Sequence, residues 1–191
     1  MSHSEAQRFV SRGGEKLWAA LEHFGLDVSG LVCADLGSHV GGFVDCLLQR
    51  ETARVHSVDT AYGILAWKLR KDPRVIAHER TNALHARLPE LVDLITIDVG
   101  WTRQAAILPA ARTMLRPAGH VVTLIKPHYE APLEILRNGV LPDDRFDEVN
   151  ARVLNAITQN GWEIQGTCAS PIRGQGGNRE LFGLLRDTKN A

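Results

Sequence analysis

The chain has 191 residues, enough for one domain with a sizeable core and too few for two comfortable ones. No apolar run approaches the roughly 20 residues that a membrane-spanning helix needs, and the polar start, Met1-Ser2-His3-Ser4-Glu5, lacks a charged-then-apolar leader. Twenty-two basic residues balance twenty-two acidic ones, which excludes an overall basic footprint for nucleic acid and leaves only a local one.

Taken in order, strand and helix signals alternate, the pattern of an α/β fold with a parallel sheet. We expect a frayed tail over 1–8, one domain over 9–188 and a short tail over 189–191, in a cytoplasmic protein. Leu17, Leu21 and Phe24 recur at helical spacing after Gly13-Gly14, and Gly25 can close that helix. Residues 31–36 form a continuous apolar run ending in an acid and a glycine, as buried parallel strands do. A glycine-bearing turn and a helix over 43–48 follow. Residues 55–59 read as a second strand, 64–69 as a helix, 75–76 as a third strand and 94–98 as a fourth.

Ile107, Leu108, Ala111, Met114 and Leu115 make a helical stripe, with Pro109 expected near its start, where it can kink the first turn. Pro117-Ala118-Gly119 then turns the chain into a fifth strand over 121–126. Val149, Val153, Ala156 and Ile157 predict the last helix, closed by Asn160-Gly161. Trp162, Ile164, Gly166 and Cys168 alternate with polar residues as in a half-exposed strand, and 181–185 completes a set of seven. Cys33 and Cys46 sit among apolar residues and read as buried free thiols. The three cysteines and eight histidines lack metal-ligand spacing, so no metal is expected.

Open α/β sheets bind ligands at the carboxyl ends of their strands, where strand order reverses. Acids stand at three of these predicted ends: Asp35, Asp59 and Asp98. After Asp35, Gly37 permits a tight turn, and Gly41-Gly42 before Phe43 lets backbone approach a ligand, with Ser38 and His39 between. The glycine spacing is not the dinucleotide fingerprint, and no Lys-Ser or Lys-Thr pair follows to make a phosphate-cradling loop. Asp59, beside Thr60, is placed to accept hydrogen bonds from the hydroxyls of a ribose, and Glu79 and Asn82 bound a segment that can contact adenine. A glycine loop without a phosphate grip, joined to a ribose-binding acid, fits S-adenosylmethionine; its sulfonium favours a nearby carboxylate, for which Asp98 is the candidate.

Six motifs stand in a fixed order: Val10-Ser11-Arg12-Gly13-Gly14-Glu15-Lys16-Leu17; Asp35-Leu36-Gly37 with Gly41-Gly42-Phe43; Val58-Asp59; Ile97-Asp98-Val99; Ile125-Lys126-Pro127; and Ser170-Pro171-Ile172 with Gly177-Asn178-Arg179-Glu180. In this set the chain resembles the hemolysin-A-like (TlyA) branch of the FtsJ ribose methyltransferases, from about residue 9 to about residue 186. The resemblance implies a Rossmann-like, S-adenosylmethionine-dependent methyltransferase fold with a mostly parallel seven-stranded sheet and helices on both faces. It also implies a Lys-Asp-Lys-Glu catalytic tetrad of Lys16, Asp98, Lys126 and Glu180. A ribose hydroxyl is a poor nucleophile until a positioned base takes its proton. A lysine can do so only if burial and a second cation overcome its ordinary protonation. Lys126 is the expected base, Lys16 the second cation and substrate clamp, and Asp98 and Glu180 the groups that orient the amines while opposing the shift.

The resemblance further implies ribosomal RNA as substrate, met by Arg12, Lys16, Lys126, Arg173 and Arg179, with Trp101 and His128 stacking on a base. The sequence departs from the family at four places. It shows no counterpart of the family's N-terminal RNA-binding domain. His39-Val40 replaces a usual pair of small residues, Gly100-Trp101 a usual Ser-Phe, and His128-Tyr129-Glu130 a usual Gln-Phe-Glu. These departures bear on substrate more than on chemistry. A methyltransferase for a small hydroxylated molecule, and a non-catalytic binding or scaffold protein that could form a homodimer, are the competing readings.

Overall fold

Seven strands and six α-helices lie along residues 8–189, the part of the chain that the computed structural model describes. Of the expected tails, 1–7 and 190–191 lie outside the described residues. Arg8 is exposed, and its guanidinium lies 3.5 Å from the Trp18 ring centroid. The elements are α1 (Arg12–Phe24), β1 (Val32–Leu36), α2 (Gly42–Gln49), β2 (Arg54–Val58), α3 (Trp67–Arg70), β3 (Val75–His78), β4 (Val92–Ile97), α4 (Gln104–Arg112), β5 (Leu115–Ile125), α5 (Pro127–Glu130), α6 (Asp143–Gln159), β6 (Trp162–Ala169) and β7 (Leu181–Asp187). Helix and strand alternate except from β3 to β4, from α5 to α6 and from β6 to β7.

The strand order is β3-β2-β1-β4-β5-β7-β6, with β1 to β5 parallel and β7 antiparallel to both neighbours. The first five strands are joined by crossovers, which parallel pairing requires, whereas β6 returns to β7 without a helix long enough to cross the sheet. Because β1 lies between β2 and β4, the winding reverses there and opens a crevice at the strands' carboxyl ends.

Period-two alternation along β1 sends Ala34 and Leu36 into a core with Ile107, Val149 and Ile157, and Cys33 into a second core with Leu17, Leu21 and Phe43. Helices α4 and α6 therefore cover one face, and α1 and α2 the other. Ser11 caps α1 by accepting from the Gly13 N–H at 3.3 Å, and Gly25 closes it in the left-handed region. Cys33 and Cys46 are buried free thiols, and burial pushes both well above the usual thiol range.

Three expectations need correction. Helix α4 ends at Arg112, so Met114 and Leu115 lie outside the predicted stripe, and β5 begins at Leu115, with Pro117-Ala118-Gly119 falling in an irregularity between the Val92↔Leu115 and Leu94↔His120 pairs. The helix predicted over 64–69 is only Trp67–Arg70, because Leu65 and Leu69 pack on the first glycine loop and the Ala66 N–H is drawn to the Val40 carbonyl at 3.1 Å. Pro109 is not near the start of its helix: α4 begins at Gln104, so the proline sits inside, where it leaves the Ala105 carbonyl without its helical donor. Among the described residues no helix is long and apolar enough to cross a membrane, and no three His, Cys, Asp or Glu side chains gather as a metal set.

Candidate active site

A cavity of about 620 Å³ opens at the crevice between β1 and β4. Its wall holds all four members of the implied tetrad, brought there by four separate elements. Lys16 comes from α1. Asp98 follows β4, and its N–H bonds to the Leu36 carbonyl of β1 at 3.0 Å. Lys126 follows β5. The antiparallel register Ile125↔Leu181 then sets Glu180, which precedes β7, beside the tip of β5.

The four side chains form two amine–carboxylate pairs. Lys126 Nζ lies 2.6 Å from Asp98 Oδ1 and donates to the Val99 carbonyl at 3.2 Å. Lys16 Nζ donates to Glu180 Oε2 at 2.6 Å. Glu180 is almost wholly buried and β7 is an interior strand, so this carboxylate is not a charge guarding a sheet edge.

Two residues that the sequence reading passed over hold Glu180 in place. A side chain at Gly174 would collide with its carboxylate. Buried Asn178 accepts from the Leu141 N–H at 2.9 Å and donates to the Gly139 carbonyl at 3.1 Å, tying the 174–180 segment to the turn before α6. Asn178 stands in the sixth motif beside Glu180, and Gly174 lies between the two parts of that motif.

The first glycine turn also lines the cavity, through Asp35, Gly37, Ser38, His39, Gly42 and Phe43. Gly37 has φ +90° and packs so tightly that an added Cβ would lie 2.6 Å from the Asp98 carbonyl oxygen. Asp59 Oδ2 accepts from the His39 N–H at 2.7 Å and Oδ1 from the Ala61 N–H at 2.8 Å, which fixes the loop and leaves each oxygen a second lone pair. Thr60 and Asn82 stand in the same wall.

Asp35 is 1% exposed; Thr96 donates to its Oδ1 at 2.8 Å, while Oδ2 has no partner. Burial, with the Asp98 and Asp59 charges adding to it, pushes its carboxyl up to about 7 against the donors Thr96 and Ser38. The unfolded chain loses that proton near ~4, so this group's contribution to stability is present below ~4 and lost as pH rises through about 7. Between pH 5 and 8 the melting temperature of the wild type should therefore fall relative to that of Asp35→Asn. A constant difference across that range would show that Asp35 does not titrate there.

Several predicted residues lie elsewhere. Glu79 is outside the cavity wall; it is taken by an ion pair with Arg70 and accepts from the Gly63 N–H at 2.8 Å. Gly41 supports the loop by admitting Leu65 and Leu69 and does not face the cavity. Arg12 and His128 line the cavity; Arg173 and Arg179 do not. Arg173 pairs with Asp143 at 3.1 Å, and the Arg179 guanidinium lies 3.9 Å from the Phe146 ring centroid. Trp101 is 84% exposed at the lip, its ring 4.8 Å from that of Tyr129, an unpredicted residue that does line the wall. His128 is buried with its ring 4.1 Å from Tyr129; burial and the Lys126 charge push it down to about 4, so the imidazole is neutral at pH 7. Ser11, from the first motif, and Thr81, from the segment between Glu79 and Asn82, are further wall residues to which the sequence assigned no role of their own.

A model of the FtsJ-like methyltransferase family matches residues 9–186. The chain belongs to that family. Its strand order and covering helices are those of Rossmann-like S-adenosylmethionine-dependent methyltransferases, a fold also seen in solved members of that class at 14% and 21% identity. Among curated FtsJ-like relatives, it is 38% identical over 181 residues to a candidate rRNA methyltransferase, YqxC, of Bacillus subtilis, covering 92% of this chain and 64% of that one. It is 40% identical over 187 residues to the 16S/23S rRNA (cytidine-2′-O)-methyltransferase TlyA of Mycobacterium tuberculosis, covering 93% of this chain and 68% of TlyA. A solved candidate hemolysin from Streptococcus thermophilus superposes with a TM-score of 0.90 at 36% identity, over 98% of this chain and 70% of its own. The chain thus spans just under two thirds of YqxC and slightly more of TlyA.

Proposed function

We propose that this FtsJ-like chain transfers a methyl group from S-adenosylmethionine to a ribose 2′-hydroxyl of ribosomal RNA, in the cytoplasm. The observation that carries the proposal is the meeting of two lysine–carboxylate pairs in the wall of one cavity beside the first glycine turn. The similarity to TlyA, itself named as a ribose methyltransferase of 16S and 23S rRNA, supports the substrate class.

The cavity suits the donor. Its volume is in the range of small-molecule and cofactor sites. Gly37 lets the turn pack against the Asp98 backbone while lining the cavity, and Asp59 retains free lone pairs for ribose hydroxyls. The unpartnered Oδ2 of Asp35 is matched by a donor such as an ammonium. Gly37, Ser38, His39, Gly42, Phe43, Asp59, Thr60, Asn82 and Asp98 would hold the donor. When bound, S-adenosylmethionine supplies an electrophilic methyl carbon on a cationic sulfur.

The chain's own part is orientation and proton transfer. Asp98 and the Val99 carbonyl engage two of the three N–H directions of Lys126, leaving one position on Nζ, which in the neutral amine is the lone pair, to receive the hydroxyl proton. Glu180 anchors Lys16, whose remaining hydrogens can hold the substrate's oxygens. Arg12 adds a cation to the same wall, and Trp101 with Tyr129 offers an aromatic surface at the lip for a base. Placing two reacting atoms at near-attack distance supplies roughly 7–11 kcal/mol of the barrier in well-oriented systems.

The test is incubation of ribosomal subunits, bulk RNA and small-molecule extract with methyl-labelled S-adenosylmethionine, followed by mass mapping. Label on a ribose 2′-oxygen of ribosomal RNA is expected. Label confined to a small molecule would overturn the substrate, and no transfer to any fraction would overturn the activity.

A further inference from the structure

The stretch 61–80 stands apart in a chain of zero net charge. It holds five basic residues, Lys68, Arg70, Lys71, Arg74 and Arg80, against two acidic ones, Asp72 and Glu79. Three of the cations are matched: Lys68 with Asp45, Arg70 with Glu79 and Arg74 with Asp72. Lys71 and Arg80 have no carboxylate partner among the described residues, and each lies against an aromatic ring. Lys71 Nζ is 4.8 Å from the Trp67 ring centroid, and the Arg80 guanidinium is 4.3 Å from that of Tyr62. Both rings are largely in solvent, Trp67 67% exposed and Tyr62 65%.

The Tyr62–Arg80 pair stands at the rim of the cavity, and the Trp67–Lys71 pair continues that rim along α3, away from the cavity and toward the start of β3. The Arg80 N–H bonds to the Ala61 carbonyl at 3.2 Å, and the next residue, Thr81, lies in the cavity wall with its N–H on the Asp59 carbonyl at 2.9 Å. Trp67 opens α3, whose entry is tied at Ala66 to Val40, another wall residue. In the sheet they belong to the β2–β3 side, whereas Lys126 and Glu180 belong to the β5–β7 side. Neither ring is needed for the core, and neither cation for an ion pair.

We infer that this rim is a second RNA contact, on which a single-stranded stretch flanking the target nucleotide lies with its bases on Trp67 and Tyr62 and its phosphates on Lys71 and Arg80. The inference rests on the RNA reading above and adds a surface the tetrad does not require. The chemistry is that of single-strand binders. Aromatic faces accept any base, and interleaved cations track the backbone. A chain without net charge can bind RNA only through such local concentrations of positive charge.

The probe is a fluorescein-labelled single-stranded oligoribonucleotide of about 12 nucleotides, within the size one such platform covers, followed by anisotropy across a salt series. The double variant Lys71→Ala/Arg80→Ala should flatten the slope of log K against log salt by about 1.4, at ~0.7 for each lost phosphate contact on a single strand. Trp67→Ala/Tyr62→Ala should weaken binding at least about tenfold with the slope kept, since base stacking is uncharged. Both variants alter exposed side chains, and unchanged S-adenosylhomocysteine binding verifies the fold. If the wild type binds the oligonucleotide and both folded variants match it in affinity and slope, the rim is not an RNA surface, and the substrate reading survives. A wild type that binds no RNA overturns both. Variants that bind naked RNA normally but fail to label intact ribosomal subunits would show that the rim faces protein, which also overturns the inference.

Discussion

Lys126→Ala should slow methyl transfer by ~10²–10⁴-fold, the span that a positioned acid or base contributes, while S-adenosylmethionine still binds. The separation follows from the geometry. Lys126 is at the tip of β5 and bonds to Asp98 and the Val99 carbonyl, whereas the glycine turn and Asp59 belong to the β1 and β2 tips. Removing the amine leaves that side of the cavity intact. It does leave Asp98 without its cation, but Asp98 is 28% exposed, so water can solvate the freed carboxylate. Lys126→Arg sharpens the test. A guanidinium keeps the charge beside Asp98 but does not give up its proton at working pH, so it should be nearly as inactive as alanine if the side chain is a base. Single-turnover rates with saturating donor, together with calorimetric titration of S-adenosylhomocysteine, measure the two quantities separately. Substantial transfer by the arginine variant would mean that residue 126 acts through charge alone.

How far the sequence specified this arrangement depended on the range of the interactions. Strands β1, β4 and the second half of β5 are buried runs whose apolar patterns suffice to place them, and the acid or lysine near each tip could be read directly as Asp35, Asp98 and Lys126; the half-exposed start of β5, from Leu115, gave no such run. The C-terminal boundary of α1 was equally local, since Gly25 closes it with its own backbone, whereas the helix starts at Arg12, capped by Ser11, before the two glycines after which the sequence pattern begins. Helix α3 was over-read because its apolar residues, Leu65 and Leu69, serve the glycine loop and do not form a stripe of their own.

The site shows the same division. Pairing of Lys16 with Glu180 joins residues 164 positions apart, and only the family pattern linked them before the fold did. Glu79, Arg173 and Arg179 lie outside the cavity wall for a related reason. Charge type was visible in the sequence, but each is occupied by a partner, Arg70, Asp143 or Phe146, chosen by tertiary packing. Asn178 carries no charge, and its importance lies wholly in two backbone groups of a distant turn, so spacing alone could not reveal it.

Gly37→Ala should be the most damaging single methyl group that can be added to this cavity. Two costs combine at the position. The residue has φ +90°, which an L side chain adopts only with strain of order 1–3 kcal/mol. The new Cβ would also lie 2.6 Å from the Asp98 carbonyl oxygen and 3.2 Å from Val99 Cα, where backbone must move because no flexible side chain can give way. Overpacking of that kind costs a further ~1–3 kcal/mol. Together these put the loss at roughly 2–6 kcal/mol, which in a domain of this size corresponds to about 5–20 °C in melting temperature. The displaced segment is Asp98-Val99, the two partners of Lys126, so transfer should fall more steeply than stability alone dictates. Gly30→Ala is the matched control. It has φ +69° and open space around the added carbon, so it carries the conformational strain without the collision. Thermal melts and transfer rates of the two variants side by side isolate the contact between β1 and β4: equal losses in both would mean that backbone strain alone explains Gly37, and that closeness to Asp98 contributes nothing.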